Sequence, residues 1–166
     1  MAGQFLIEVL GSSHDRTDFC CGVEALDRYF QKQATQDVRR RATACYVAID
    51  SSEVKVAGYY TLAAAGIPLA DMPAELAKQL PRYPSVPEAR LGRLAVDQAY
   101  RGRKLGSALL WDAVQRSSRS EIAVFALVVD AQDDQAAIFY RHHGFESFGS
   151  QPRQLVLPLT NIIFKG

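Results

Sequence analysis

Residues 4–10 (QFLIEVL) alternate apolar and polar positions, with Phe5, Ile7 and Val9 on one face, and predict a strand. Val23, Leu26, Phe30 and Ala34 fall at i, i+3, i+7 and i+11. That spacing predicts one helix over about residues 23–40, ending in Arg39, Arg40 and Arg41, where cations suit the helix dipole. Residues 43–50 and 54–67 flank the polar Ser51, Ser52 and Glu53 and predict an antiparallel hairpin. Residues 73–80 predict a short helix with Pro73 in its first turn and Pro81 after its end. Pro81, Pro84 and Pro87 make an extended connector, and residues 89–97 form the next strand. Leu105, Leu109 and Ala113, with Leu110 and Val114 beside them, predict a helix over residues 104–118. Residues 121–130 are almost continuously apolar, the pattern of a strand covered on both faces. Residues 133–143 predict a helix stopped by Gly144, and residues 145–148 and 154–159 two short strands. The order predicts an α/β chain around a mixed sheet.

The apolar pattern continues without a linker or repeat, so residues 1–166 are expected to form a single domain. Hydrophobic residues make up 48% and charged residues 22%, ordinary values for a globular protein with a core of its own. Nineteen Lys and Arg against eighteen Asp and Glu leave a formal charge of +1, which excludes a polycation but not a local basic patch. No apolar run is long enough to span a membrane, and the first residues lack the basic start and apolar length of a signal peptide. Cys20, Cys21 and Cys45 form no C-x-x-C pair, and with His14, His142 and His143 no recognised zinc spacing, so no metal is expected. A reducing cytoplasm is the expected setting.

The chemistry concentrates in residues 91–114. A strand ending near Asp97 is followed by Arg101, Gly102, Arg103 and Lys104 and then by a helix opening at Lys104 or Leu105. Unpaired amides and the dipole at a helix start, next to three cations, make an anion site suited to a diphosphate, and Gly102 and Gly106 allow close approach. The plainer alternative is a strand–loop–helix connection with solvated cations. Neither a Walker loop nor a dinucleotide G-x-G-x-x-G is present.

The run Arg101-Gly102-Arg103-Lys104-Leu105-Gly106 resembles the Q/R-x-x-G-x-G/A signature of the GNAT superfamily of acetyl-CoA-dependent acyltransferases, with Lys104 in place of its middle glycine. Ala136, Phe139, Tyr140, Gly144 and Phe145 resemble a second superfamily block, N-x-x-A-x-x-F-Y-x-x-x-G-F, with Asp133 in place of its asparagine. The resemblance implies a GNAT fold: a central, mostly antiparallel sheet, flanked by helices, with a V-shaped splay near Val128, Val129 and Asp130. It implies that the backbone of Leu94, Ala95 and Val96 pairs with the pantetheine arm. The loop from Arg101 through Gly102, Arg103, Lys104, Leu105 and Gly106 to Ser107 would hold the diphosphate, with Asp133 a further cofactor contact. Tyr140 is implied as the general acid that protonates the departing thiolate, since a phenol keeps its proton at pH 7. Asp97, Asp130, Asp133 and Glu88 stand unranked as general bases. A weakly basic amine would need none.

Phe19-Cys20-Cys21-Gly22, with Leu26, Asp27 and Tyr29, is similar to the opening F-x-C-G-x-x-x-L-(D/N)-x-(Y/W) of one GNAT subgroup. Residues 56–62 (VAGYYTL) and 89–97 (ARLGRLAVD) also match that subgroup. It comprises the toxins of type II toxin–antitoxin modules, which acetylate the α-amino group of aminoacyl-tRNA and block translation. The resemblance implies aminoacyl-tRNA as substrate, a ribbon-helix-helix antitoxin and a homodimer. Arg39, Arg40, Arg41, Arg90 and Arg93 are the candidates for tRNA phosphate contacts. The alternatives are a GNAT enzyme acting on a small-molecule amine or a protein N-terminus, and a module that binds CoA without turnover.

Overall fold

The alternating and continuous apolar runs become seven strands: β1 (Phe5–Val9), β2 (Ala44–Asp50), β3 (Lys55–Pro68), β4 (Ser85–Val96), β5 (Ala126–Asp130), β6 (Glu146–Ser147) and β7 (Gln154–Pro158). The 3.6-residue patterns become α1 (Glu24–Lys32), α2 (Ala34–Arg39), α3 (Ala74–Ala77), α4 (Leu105–Ser118) and α5 (Asp134–His142). The structure, a computed structural model, describes residues 5–160. Gln4, assigned to the first strand, and residues 161–166 of the expected domain lie outside the described residues. The strands follow the order β1-β2-β3-β4-β5-β7-β6. The β1–β2, β2–β3, β5–β7 and β6–β7 pairs are antiparallel and β4–β5 is parallel, which is the mixed, mostly antiparallel sheet expected of the chain.

The chain divides into two compact units. One holds the residues up to 63 together with Gly92–Ala113; the other holds Ala64–Leu91 and the residues from 114 onward. In the first, the rings of Phe30 and Tyr59 stack at 4.2 Å, and Phe19 meets both edge-on at 4.9 and 5.6 Å. Burying such rings contributes about 1.5–3 kcal/mol each. The Tyr59 hydroxyl donates to the Leu26 carbonyl (2.8 Å), so the ring is buried without stranding its polar end. In the second unit, Val86, Ala126, Val128 and Val156 from three adjacent strands pack with Ile67, Met72, Leu76 and Phe148. No helix among the described residues is long and apolar enough to cross a membrane.

Three sequence expectations are corrected. The helix expected over residues 23–40 is two helices broken at Gln33 (φ −119°, ψ −31°). Arg16 is the cause: its Nη1 donates to the Phe30 carbonyl (2.7 Å), the acceptor a continuous helix would offer to Ala34, and its Nη2 donates to the Thr35 hydroxyl (2.8 Å). The strand expected from residue 121 starts at Ala126, and Ile122 is exposed. Pro87 has no N–H to offer a neighbour, and the β4–β5 ladder begins one residue later, at Glu88↔Ala126. Pro87 itself lies inside β4 rather than in a connector, and its carbonyl accepts from the Phe125 amide (2.9 Å).

Candidate active site

In the first unit, β4 ends at Val96, and Asp97 opens a 3-10 turn, Gln98–Tyr100, accepting at its side chain from the Ala99 amide (2.9 Å). Residues 101–104 follow on the surface, and α4 begins at Leu105. Its first internal bond runs from the Ala108 amide to the Lys104 carbonyl (3.1 Å), so the amides of Leu105 and Gly106 stand in the opening turn of a 14-residue helix. Gly102 (φ +81°) has nothing within 4 Å of where a Cβ would stand. Lys104 adopts φ +61°, so the place of the signature's middle glycine does demand the left-handed region. Gly106 and Ser107 are half-buried in the first turn, while the Leu105 side chain is buried in the core. Leu94 and Val96 are half-buried and Ala95 buried along the last part of β4.

The loop arginines have defined contacts. Arg101 donates from Nη2 to the Cys21 carbonyl (2.8 Å), and Arg103 lies over the Tyr100 ring at 5.2 Å. Tyr100 in turn donates its hydroxyl to the buried Asp50 (2.7 Å). Arg93 sits 3.4 Å from the centre of the Tyr29 ring, whose hydroxyl donates to Asp37 (2.8 Å). Hydrogen bonds from Gln33 and Tyr29, then the nearby Arg93 and Arg40, hold the Asp37 carboxyl below its ordinary range. Arg39, Arg40 and Arg41 are exposed where α2 ends. Arg41 (φ +59°) takes the position after the cap: its amide donates to the Val38 carbonyl and that of Ala42 to the Asp37 carbonyl.

In the second unit, the β4–β5 register runs from Glu88↔Ala126 to Leu91↔Val129. Arg90 donates to Glu88 (2.8 Å) and to Asp130 (2.7 Å), so this arginine is already committed to two carboxylates. Glu88 is fully buried, and its Oε2 has no hydrogen-bond partner. Burial pushes its carboxyl up, and Arg90 opposes the shift. Asp133 caps α5, accepting from the Ala136 amide (2.8 Å). All four candidate bases therefore have structural work: Asp97 and Asp133 cap turns, and Glu88 and Asp130 share Arg90.

Tyr140 lies in the last turn of α5 and is buried, its ring edge-on to Phe139 (5.2 Å) and Phe145 (5.5 Å). The helix closes with the Phe145 amide on the Tyr140 carbonyl and the Gly144 amide on the Arg141 carbonyl, Gly144 adopting φ +97°. Within this helix Ile138 is 62% exposed and Tyr140 6%. The inward stripe of α5 is Ala137 and Tyr140, three apart, and Ile138 falls about 100° away from Ala137. Burial alone raises the Tyr140 phenol, with no hydrogen bond or charge contributing.

Sequence reasoning missed the Tyr29–Asp37–Arg93 cluster and the attachment of residues 20–22 to the turn after β4. Tyr29 and Cys20 were visible in the opening block, but Arg93 and Asp97 stand far along the chain.

The sequence profile described as acetyltransferase (GNAT) domain matches residues 41–147. A tRNA-acetylating toxin of Mycobacterium tuberculosis is 34% identical over 159 residues, spanning 95% of this chain and 93% of its own. Among solved structures, AtaT complexed with acetyl-methionyl-tRNAfMet superposes with a TM-score of 0.88 at 28% identity, over 96% of this chain and 97% of the other. AtaTR bound with AcCoA gives 0.83 at 27% identity, over 98% and 97%. A tyrosine-to-phenylalanine mutant of the AtaT toxin, bound to the C-terminus of the antitoxin AtaR, gives 0.80 at 25% identity, over 95% of each chain.

Proposed function

The chain belongs to the GNAT acetyltransferase family, and from that premise we propose that it is a toxin moving an acetyl group from acetyl-CoA to the α-amino group of aminoacyl-tRNA, which blocks translation. The observation that carries this is the likeness, over nearly the whole chain, to a protein named for acetylating tRNA, together with the superposition on a tRNA-bound relative. The profile match takes in parts of both units, which supports reading the chain as one catalytic domain.

The donor set after β4 fits a polyanion: opening amides of a long helix, Gly102 in an open turn, and the cations of Arg103 and Lys104. Acetyl-CoA, when bound, supplies the activated thioester. Leu94, Ala95 and Val96 offer strand backbone to its pantetheine arm, and residues 101–107 hold its diphosphate. Within that loop Arg101 is anchored by the bond from its Nη2 to the Cys21 carbonyl. Asp133 caps α5 through Oδ1.

Tyr140 holds the proton that the departing sulfur takes up. A phenol raised by burial is protonated throughout the neutral range. Asp97, Asp130 and Asp133 are engaged and Glu88 is fully buried, so the acceptor amine gives its proton to water. This suits an α-amine, with a pKa near 7.7–8.0, and disfavours a lysine near 10.4.

Arg39, Arg40 and Arg41 are the exposed cations suited to tRNA phosphates; Arg90 and Arg93 position other groups instead. The antitoxin-bound relative supports an antitoxin as partner; a ribbon-helix-helix fold for it, a homodimeric state and a cytoplasmic setting complete the reading from the subgroup motif alone.

The decisive assay offers labelled acetyl-CoA with charged tRNA, uncharged tRNA, a polyamine and a peptide. Label is expected on charged tRNA alone; label on the polyamine or peptide instead would reject the assignment. In the same assay Tyr140→Phe should keep its fold, since the ring contacts survive. It should lower turnover by about 10²–10⁴ while acetyl-CoA still binds by calorimetry. Full activity in that variant would remove Tyr140 from its role.

A further inference from the structure

We propose that the turn at residues 20–22 and the carboxylate of Asp97 form a positioning device for the diphosphate loop, setting where its donor groups stand when acetyl-CoA binds. This rests on the reading of residues 101–107 as the diphosphate site, and all its parts lie in the first unit.

The two segments are joined by bonds that span 77 to 80 positions of sequence. The Cys20 amide donates to Asp97 Oδ2 (3.0 Å), and the Gln98 amide donates back to the Cys20 carbonyl (2.9 Å). The Cys21 carbonyl accepts from Arg101 Nη2 (2.8 Å), so the first residue of the loop signature is tied to this turn. Asp97 is the hinge of the arrangement: Oδ2 holds Cys20 while Oδ1 holds the Ala99 amide and so shapes the chain entering the loop.

Gly22 lets the two segments close. It adopts φ +96°, and a Cβ there would stand 2.6 Å from Gln98 Nε2 and 2.8 Å from Arg101 Nη2. The turn is itself held on its far side. The Cys21 amide donates to Asp27 Oδ1 in α1 (2.8 Å), and Phe19 is locked into the ring stack with Phe30 and Tyr59. The path therefore runs from the rigid core, through the turn, to a loop whose residues 101–104 are exposed. Amide donors aimed at an anion are effective only when held to within about half an ångström. This gives the Phe19, Gly22 and Asp27 positions of the opening block a task in cofactor binding, although none of them lies in the loop.

The test compares two donors with charged tRNA in excess: acetyl-CoA, and S-acetyl-pantetheine, which carries the same thioester but neither the diphosphate nor the 3′-phosphorylated adenosine beyond it. The wild type should prefer acetyl-CoA. Asp97→Asn and Gly22→Ala should each raise KM for acetyl-CoA on the order of tenfold at little-changed kcat, and leave kcat/KM for S-acetyl-pantetheine unmoved. The preference then shrinks by the same factor. Equal losses with both donors, or a preserved preference, would overturn the proposal, because a merely structural role lowers both. A wild type indifferent to the diphosphate would instead overturn the loop assignment itself. The two variants are read independently, so a folding defect in one, visible in its thermal midpoint, leaves the other to decide.

Discussion

Lys104 shows how a single residue carries strain at a functional turn. A side chain with a Cβ at φ +61° costs roughly 1–2 kcal/mol, and glycine relieves it, less its greater loss of chain entropy. Lys104→Gly should therefore raise stability by about 0.5–1 kcal/mol, a rise of about 2 °C in thermal midpoint for a chain of this size, whereas Lys104→Ala should give no such rise. A glycine variant that melts lower would show that the ammonium holds the loop in the free protein. Cys21 and Cys45 illustrate the opposite case, side chains that the fold silences. Burial pushes their thiols up to about 11 and about 12, which leaves Cys20 as the exposed thiol.

At the scale of elements, α5 ends where its sequence says it must. Gly144 follows the cap, Phe145 packs back on Tyr140, and the orphan carbonyls of Tyr140 and Arg141 find amides. A Cβ at Gly144 meets only Leu157 Cδ1 at 3.6 Å, an ordinary separation, so the cost of substitution is one of backbone alone. Gly144→Ala should destabilise by about 1–2 kcal/mol in a denaturant titration. A neutral result would mean that the helix can end otherwise and that the packing of Phe145 on Tyr140 is dispensable. The same motif closes α2 with Arg41 in glycine's place, which puts an exposed arginine at a sharp turn of the chain.

For the whole molecule, a formal charge of +1 means that tRNA cannot be held by net charge; attraction has to be local. With Arg90 paired to Glu88 and Asp130, Arg93 over the Tyr29 ring and Arg101 bonded to the Cys21 carbonyl, Arg39, Arg40 and Arg41 carry the prediction. Their joint replacement by alanine should weaken tRNA binding at low salt. It should also flatten the plot of log affinity against log salt by about 0.7–0.9 for each phosphate that is no longer neutralised. Titrations at several ionic strengths measure this, and an unaltered slope would move the tRNA-binding surface to another face.

The order of strands and helices, apart from the break in the first helix, the turn after β4 and the glycine stop after α5 were legible in the residues themselves. Periodicity, backbone preference and helix-end chemistry act over a few neighbours, and a single chain displays them directly. Tertiary structure alone decided what the charged and polar side chains do. Arg16 broke the first long helix, Asp130 claimed Arg90 from 40 positions away, and the Cys21 carbonyl claimed Arg101 from 80. A guanidinium or carboxylate takes whichever partner the folded chain brings within about three ångströms, and no local pattern records that choice.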